Sequence, residues 1–95
     1  MLATSDELAL GAVQAARELG LVVPEDLSVV GFDDVPAART AEPPLTSVHQ
    51  NHEEKGRLAA EVLLAELRGE ATRRVRRIAH RLVVRGSTGP PPARE

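Results

Sequence analysis

Apolar residues in the first part of the chain recur with the period of an α-helix. From Ser5 to Leu19 they fall every three or four positions, on one side of a helix. Thr4 or Ser5 is placed to cap the first turn, and Gly20 is suited to the left-handed residue that ends a helix. The pattern therefore predicts a helix over this stretch, preceded at residues 1–4 by the end of a strand.

A second helical pattern runs from Asn51 to Arg68 and stops at Gly69. Asn51 and Glu54 have the spacing of a capping box. Apolar side chains occupy most of the circumference and leave a narrow polar stripe. This helix is therefore expected to be covered on more than one side, which the rest of the chain can hardly achieve.

The most apolar short stretch is Leu27 to Phe32, and it stops abruptly at Asp33 and Asp34. Such a run predicts a buried strand that ends at a polar edge of a sheet. Ligands of open α/β sheets bind beyond the carboxyl ends of the strands, which makes both carboxylates candidates for a binding site. They could equally form a simple turn, because aspartate hydrogen-bonds its own backbone and tolerates tight geometry.

Shorter signals complete the pattern of alternating helices and strands. They predict one helical turn at residues 35–41, a strand at 45–50, two further strands at 75–80 and 82–85, and a disordered tail at 86–92. Elements in this order indicate an α/β fold with a parallel sheet and flanking helices.

Composition excludes several classes of site. The chain has 95 residues, Phe32 is the sole aromatic residue, and cysteine is absent. Base-stacking platforms, disulfides and thiolate metal sites are therefore excluded. The sequence has neither a long apolar run nor a basic segment followed by an apolar core, so we expect no membrane span, no secretory signal and a cytoplasmic location.

Charge is distributed unevenly along the chain. Residues 1–70 carry 13 acidic and five basic side chains, whereas residues 71–95 carry seven arginines and one glutamate. The basic cluster at residues 73–77 could bind phosphate. An ordinary solvated strand edge is the favoured interpretation of the same residues.

The sequence offers no catalytic constellation. It has no nucleophile paired with a base, and its three histidines lack a metal-ligand spacing such as i, i+4. We therefore expect a protein that is not an enzyme and that carries neither a metal nor a cofactor.

Four ordered stretches resemble the last third of the effector-binding domain of LacI/GalR-family transcriptional regulators. They are SDELALGA at 5–12, VPEDLSVVGFDD at 23–34, PPLTSV at 43–48 and LVVRGST at 82–88. The resemblance implies a partial type I periplasmic-binding-protein-like fold, in which residues 1–88 contribute to two α/β subdomains joined by crossing segments and residues 89–95 form a disordered tail. It also implies a small ligand, a sugar or a nucleobase, in the cleft between them.

The resemblance also implies individual ligand contacts. Ser5 matches a contact position just before the first helix, Asp33 matches the carboxylate that reaches the ligand, and His52 matches a variable position that can line the cleft. Ser5 replaces the asparagine common in the family. Asp6 is a candidate contact as well, although a helix cap is the favoured role for it.

A surface for dimerisation is implied in the same way. Leu10 is expected on the side of the first helix opposite the apolar stripe, near Gln14, where it is either an ordinary exposed leucine or an interface anchor. The resemblance favours the anchor, and the predicted homodimer interface consists of Leu10, Gln14, Ala37, Thr40 and Ala41.

The chain contains no helix-turn-helix candidate, so operator DNA would be bound only through a domain outside it. We expect the ligand-sensing and dimerisation portion of a regulator, present here as a fragment, that responds to a small ligand such as a sugar and has no membrane contact. Two alternatives stay open. One is a transport protein of the same fold, and the other is a protein that holds Mg²⁺ between Asp33 and Asp34.

Overall fold

A computed structural model of the chain describes residues 1–70 and 78–92. Helices and strands alternate, as predicted for an α/β fold. Their order is α1 (Asp6–Glu18), β1 (Val30–Asp33), α2 (Pro36–Thr40), β2 (Thr46–Gln50), α3 (His52–Leu67) and β3 (His80–Val83).

The strands form a three-stranded sheet in the order β1-β2-β3. β1 and β2 are parallel, with Val30 opposite Thr46 and Asp33 opposite His49. Leu2 adds an isolated parallel bridge to Val30 on the other side of β1. The strand end predicted at residues 1–4 is therefore present as this single bridge.

Both long helices begin and end where the capping signals predict. The Ser5 hydroxyl accepts a hydrogen bond from the Leu8 amide at 3.2 Å, and the Asn51 side chain accepts one from the Glu54 amide at 3.1 Å. Gly20 and Gly69 follow the two helices at φ of 79° and 74°, in the left-handed region that glycine adopts without steric cost.

The chain divides into two compact units. The first contains residues 1–49 and those from Arg81 onward, and the second runs from Gln50 to His80. In the first unit, α1 packs beside β1 over a core of small side chains. The buried residues of this core are Ala3, Ala9, Val13, Val29, Ala38 and Leu45.

The buried face of α1 contains Ala9, Val13 and Ala16, as predicted, and departs from the predicted stripe at three leucines. Leu8 and Leu19 were expected on the apolar stripe, yet they are 60% and 78% exposed. Leu10 was expected on the opposite side, yet it is half-buried and packs against the edge of the core. Alanine at positions 9 and 16 lets the helix lie close to the sheet, and this close approach leaves no room for the larger leucines at the centre of the contact.

The C-terminal segment is ordered further than predicted. Ser87 is fully buried, and its hydroxyl donates to the Val29 carbonyl at 2.6 Å while accepting from the Thr46 amide at 2.8 Å. The Gly89 amide donates to the Ser28 hydroxyl at 3.0 Å. The prediction of a disordered tail from residue 86 was therefore wrong for residues 86–89, because the segment hydrogen-bonds to β2 and to the chain leading into β1.

The second unit is built around α3. Within the described chain, no residue of α3 is buried, and Leu63, Leu64 and Leu67 are about half to three quarters exposed. The sequence predicted that the rest of the chain could hardly cover this helix.

The strands predicted at 75–80 and 82–85 appear, over their described part, as the single strand β3. Residues 75–77 and the basic cluster at 73–77 lie outside the described residues. None of the helices in the described ranges is long and apolar enough to cross a membrane.

Gly31 in β1 provides a first test of this packing. A Cβ atom at this position would collide with the Asp6 carboxylate and would lie 2.8 Å from Leu45 Cδ2. We therefore expect Gly31→Ala to lower the free energy of unfolding by about 1–3 kcal/mol, as overpacking of a core does. Chemical denaturation of the two proteins measures this difference.

Gly11 in α1 is the matched control. A Cβ atom there would meet nothing within 4 Å, so Gly11→Ala is expected to stabilise the protein by roughly 0.5–1 kcal/mol, because alanine favours the helix interior. Equal effects of the two substitutions would contradict the close contact between Asp6 and β1.

Candidate functional site

β1 ends in a turn with an uncommon backbone. Asp33 and Asp34 have φ values of 110° and 56°, so two consecutive residues other than glycine occupy the left-handed side of the Ramachandran map. Each such residue costs of the order of 1–3 kcal/mol and persists only where its surroundings determine the conformation. The pair thus has the tight geometry on which the turn interpretation relied, and the stability of this backbone must come from the contacts around it.

Asp6 supplies part of that stability from the first turn of α1. One of its carboxylate oxygens accepts a hydrogen bond from the Val35 amide at 2.7 Å, and the other accepts one from the Ser47 hydroxyl at 2.6 Å. Ser47 in turn accepts a bond from the Asp34 amide at 3.0 Å. Asp6 therefore holds the turn directly and through the neighbouring strand β2.

Asp34 points into the protein and gathers basic side chains around it. Its side chain is 1% exposed, with Arg85 Nη2 at 2.6 Å, His49 Nδ1 at 2.9 Å and Arg39 Nη2 at 3.7 Å from its oxygens. The contact with Arg85 is an ion pair and not an aligned hydrogen bond, because the oxygen that faces Arg85 receives no hydrogen bond of good geometry. Arg85 also donates to the Leu45 carbonyl at 2.8 Å, which fixes its guanidinium group in place.

The charge of Asp34 is maintained by these partners. Burial alone works to raise the pKa of its carboxyl, since the charged form loses its solvation. The short polar contact with Arg85, the hydrogen bond from His49 and the positive charges of Arg85 and Arg39 together outweigh burial and lower the pKa below its ordinary value. Asp34 is thus an ionised, structural carboxylate.

The contacts of Asp34 argue against a magnesium site between Asp33 and Asp34. Asp34 is committed to arginine side chains and cannot share a cation with Asp33. In the described part of the chain, histidines and acidic residues form no group of three that could hold a metal ion.

An open groove lies at the end of β1, and we call it the strand-end groove. It has a volume of about 330 Å³. It brings together Ser5 and Asp33, two of the predicted ligand contacts, within the first unit. Its full lining is Ser5, Asp6, Glu7, Leu10, Asp33, Val35 and Ala37. A hydroxyl at a helix start and a carboxylate at a strand end can bind the hydroxyl groups of a polar ligand.

The other two predicted ligand contacts are placed differently. Asp6 is 1% exposed and both of its carboxylate oxygens are bonded within the protein, which favours a structural role over ligand contact. His52 is exposed at the first residue of α3, in the second unit. Its role in binding stays a prediction.

The predicted interface residues lie along one side of α1 and around α2. Leu10, Gln14 and Ala41 share a second depression of about 330 Å³, which we call the helix groove. Ala37 lines the strand-end groove instead, and the exposed Thr40 donates to the Ala37 carbonyl at 3.5 Å. The helix groove is lined by Leu10, Val13, Gln14, Arg17, Glu18, Ala41 and Glu42.

Sequence reasoning missed the residues that support the site. It assigned no role to Ser47, His49 or Arg85, although each bonds to Asp34. Ser47 gave no clear signal, because β2 reads Thr-Ser-Val-His-Gln and its sequence does not show which of these polar side chains is buried. Arg85 gave none either, since its partner lies 51 positions earlier in the chain.

Comparison with known proteins shows which family this chain is similar to. A family model described as a periplasmic binding protein-like domain matches residues 1–88. The HTH-type transcriptional regulator MalR of Streptomyces coelicolor is 45% identical over 93 residues, which is 97% of this chain and 27% of that protein.

Two solved structures show the same fold. A lac repressor dimer bound to operator and the anti-inducer ONPF superposes with a TM-score of 0.86 at 38% identity, over 93% of this chain and 31% of the repressor chain. The complex of the transcriptional regulator CelR with cellobiose superposes with a TM-score of 0.83 at 45% identity, over 90% of this chain and 27% of that one. The chain thus spans roughly a quarter to a third of the length of these relatives.

The Asp34 ion pair predicts a defined response to acid. Because the folded-state pKa of Asp34 is lowered, the unfolded chain binds more protons in acid, and the stabilisation by Asp34 is fully present only above the ordinary aspartate pKa of about 3.9. It is lost as the pH falls through the lowered value. We expect Arg85→Ala to cost about 3–5 kcal/mol near neutral pH, because it leaves a buried charge without its main partner, and to move acid unfolding to higher pH.

Arg39→Ala is the control for this experiment. Arg39 is 62% exposed and 3.7 Å from Asp34, so its removal should cost less than about 1 kcal/mol. Free energies of unfolding measured between neutral and acidic pH distinguish the two variants. Similar losses in both would show that Arg85 is not the dominant partner.

Proposed function

The chain belongs to the family of periplasmic binding protein-like domains, in the form carried by LacI/GalR-type transcriptional regulators, and on this basis we propose that it is the ligand-sensing and dimerisation portion of a DNA-binding transcriptional regulator. The observation that carries the proposal is the strand-end groove, where Ser5 and Asp33 face the same open volume. Around it, buried polar contacts hold the carboxylate in a fixed turn.

The proposed ligand is a small polar metabolite, most simply a sugar. A carboxylate has two acceptor oxygens and can bind two neighbouring hydroxyl groups through charge-assisted hydrogen bonds. Asp33 has that capacity, and Ser5 adds a hydroxyl at the N-terminus of α1. The structural relative CelR is in complex with cellobiose, which supports a carbohydrate and makes cellobiose a rational first probe.

Regulation in this proposal depends on parts of the protein outside the chain. MalR is named an HTH-type regulator, and the lac repressor relative is bound to operator DNA. We infer that ligand binding shifts the equilibrium between two conformations of the sensing domain, and that a separate helix-turn-helix domain reads this shift at an operator. The proposed protein is a cytoplasmic regulator and not an enzyme.

Dimerisation is assigned to the helix groove. Leu10 and Val13 contribute apolar surface to it, while Gln14, Arg17 and Glu42 contribute polar groups. Protein interfaces combine apolar and polar contacts in this way. The lac repressor relative is a dimer, which supports a second copy of the same chain as the partner.

Asp33→Asn tests the ligand site. In the full natural protein, isothermal titration calorimetry with cellobiose, followed by a panel of other disaccharides and monosaccharides, should detect binding. The substitution should weaken it roughly tenfold to a hundredfold, because a hydrogen bond to a charged group contributes about 1.5–3 kcal/mol.

Asp26→Asn is the matched control for that change. Asp26 accepts a bond from the Val22 amide in an exposed turn outside the strand-end groove. Its substitution should leave sugar affinity unchanged. Equal loss in both variants would indicate a general effect on folding, and unchanged affinity in Asp33→Asn would remove Asp33 from the site.

Leu10→Glu tests the interface. A charged side chain on the apolar surface of the helix groove should weaken dimerisation by at least roughly tenfold, since loss of a hot-spot side chain costs about 2 kcal/mol or more. Leu19→Glu is the control, because Leu19, the C-cap residue of the same helix, is 78% exposed and lies outside the helix groove. Sedimentation equilibrium of the full natural protein measures both. A dimer that survives Leu10→Glu intact would place the interface elsewhere.

A further inference from the structure

His49 stands out among the partners of Asp34 by its position. It is the residue of β2 directly opposite Asp33 in the parallel register, and its Nδ1 lies 2.9 Å from Asp34 Oδ2. One histidine is thus beside the proposed ligand-binding carboxylate and bonded to the structural carboxylate next to it.

We propose that His49 is a positioning residue for Asp33, which it acts on through Asp34, and that its protonation makes the conformation of this ligand-binding turn depend on pH. The assignment of Asp33 to ligand binding rests on the proposed function above. The coupling between His49 and the turn rests on geometry alone.

The hydrogen bond defines the protonation state of the ring nitrogen. An ionised carboxylate only accepts hydrogen bonds, so Nδ1 of His49 must carry the hydrogen. In the neutral ring, Nε2 is then unprotonated. Proton uptake at Nε2 converts a neutral donor into a charged one and strengthens its bond to Asp34.

Among the groups around Asp34, histidine is the side chain suited to respond near neutral pH. Arg39 and Arg85 remain charged throughout, whereas histidine changes charge between about pH 5 and 8. Asp6 reaches the turn through Ser47, and Asp33 is the cross-strand neighbour of the ring. The charged or titratable residues of the neighbouring strand β3 are Arg81 and His80, both exposed.

The His49 side chain is partly exposed to solvent. The His49 side chain is 32% exposed, so its ring can exchange protons with solvent while it remains bonded to a carboxylate that is almost fully buried. The turn it contacts has two consecutive residues in the left-handed region. Because such a turn persists only through its surrounding contacts, a change in the strength of one contact changes how firmly the turn is held.

Nuclear magnetic resonance of the full natural protein, labelled with ¹⁵N at aspartate and histidine, tests the proposal without any ligand. The amide signals of Asp33 and Asp34 should move with pH on the same curve as the His49 ring. Long-range ¹H–¹⁵N correlation should show the Nδ1–H form of neutral His49. His49→Asn keeps a donor that cannot gain charge, so the amide titration should disappear, whereas His80→Asn should preserve it.

Two results would overturn the proposal. One is a His49 ring that titrates while both aspartate amides stay still in the unmodified protein. The other is an unchanged amide titration in His49→Asn. Because no sugar is present, either result leaves the affinity measurements on Asp33→Asn untouched, and failure of cellobiose to bind would not affect the amide titration.

Discussion

The rest of the first unit depends on one buried carboxylate. Asp34 is almost fully removed from water, and an ionised group there is tolerated only when opposite charge and hydrogen bonds replace its hydration. Arg85 provides most of that replacement at 2.6 Å, and it is 51 positions away in the sequence. This ion pair, together with the hydrogen bonds of Ser87, ties the last described segment of the chain to β1 and β2. The backbone of the turn follows from that ion pair and from the hydrogen bonds of Asp6 and Ser47.

At this site, residues that are adjacent in the sequence have different roles. Ser5 caps α1 and lines the strand-end groove, while Asp6, the next residue, points inward and holds the turn. Asp33 lines the same groove, while Asp34 is bonded within the protein. In each pair one residue fixes the backbone from which the other presents its side chain. In this arrangement a polar binding surface can be rigid, because the contacts that support it are buried directly behind it.

Features with short-range causes could be predicted from the sequence, and features with long-range causes could not. The helix boundaries at Ser5, Gly20, Asn51 and Gly69 follow from capping chemistry within a few residues. The pairing of Arg85 with Asp34 depends on how distant segments meet, and no local pattern encodes it. In α1 the small residues of the buried face were predicted correctly and the leucines were not, because the strength of a hydrophobic residue does not show how closely its part of the helix approaches the sheet. Asp33 entered the candidate site through a strand-end rule and a family resemblance, both of which concern backbone position more than side-chain contacts.

The buried Ser87 hydroxyl has a consequence for the order in which the protein is made. It joins the Val29 carbonyl to the Thr46 amide, and 58 positions separate it from Val29. A ribosome therefore releases the residues of β1 and β2 well before the serine that connects their starting points. Contacts of such long sequence separation slow folding, and they leave strands incompletely paired during synthesis. The first unit reaches its final structure only after the whole intervening second unit has been translated, so the nascent chain has a period in which the starts of β1 and β2 lack their contacts with Ser87.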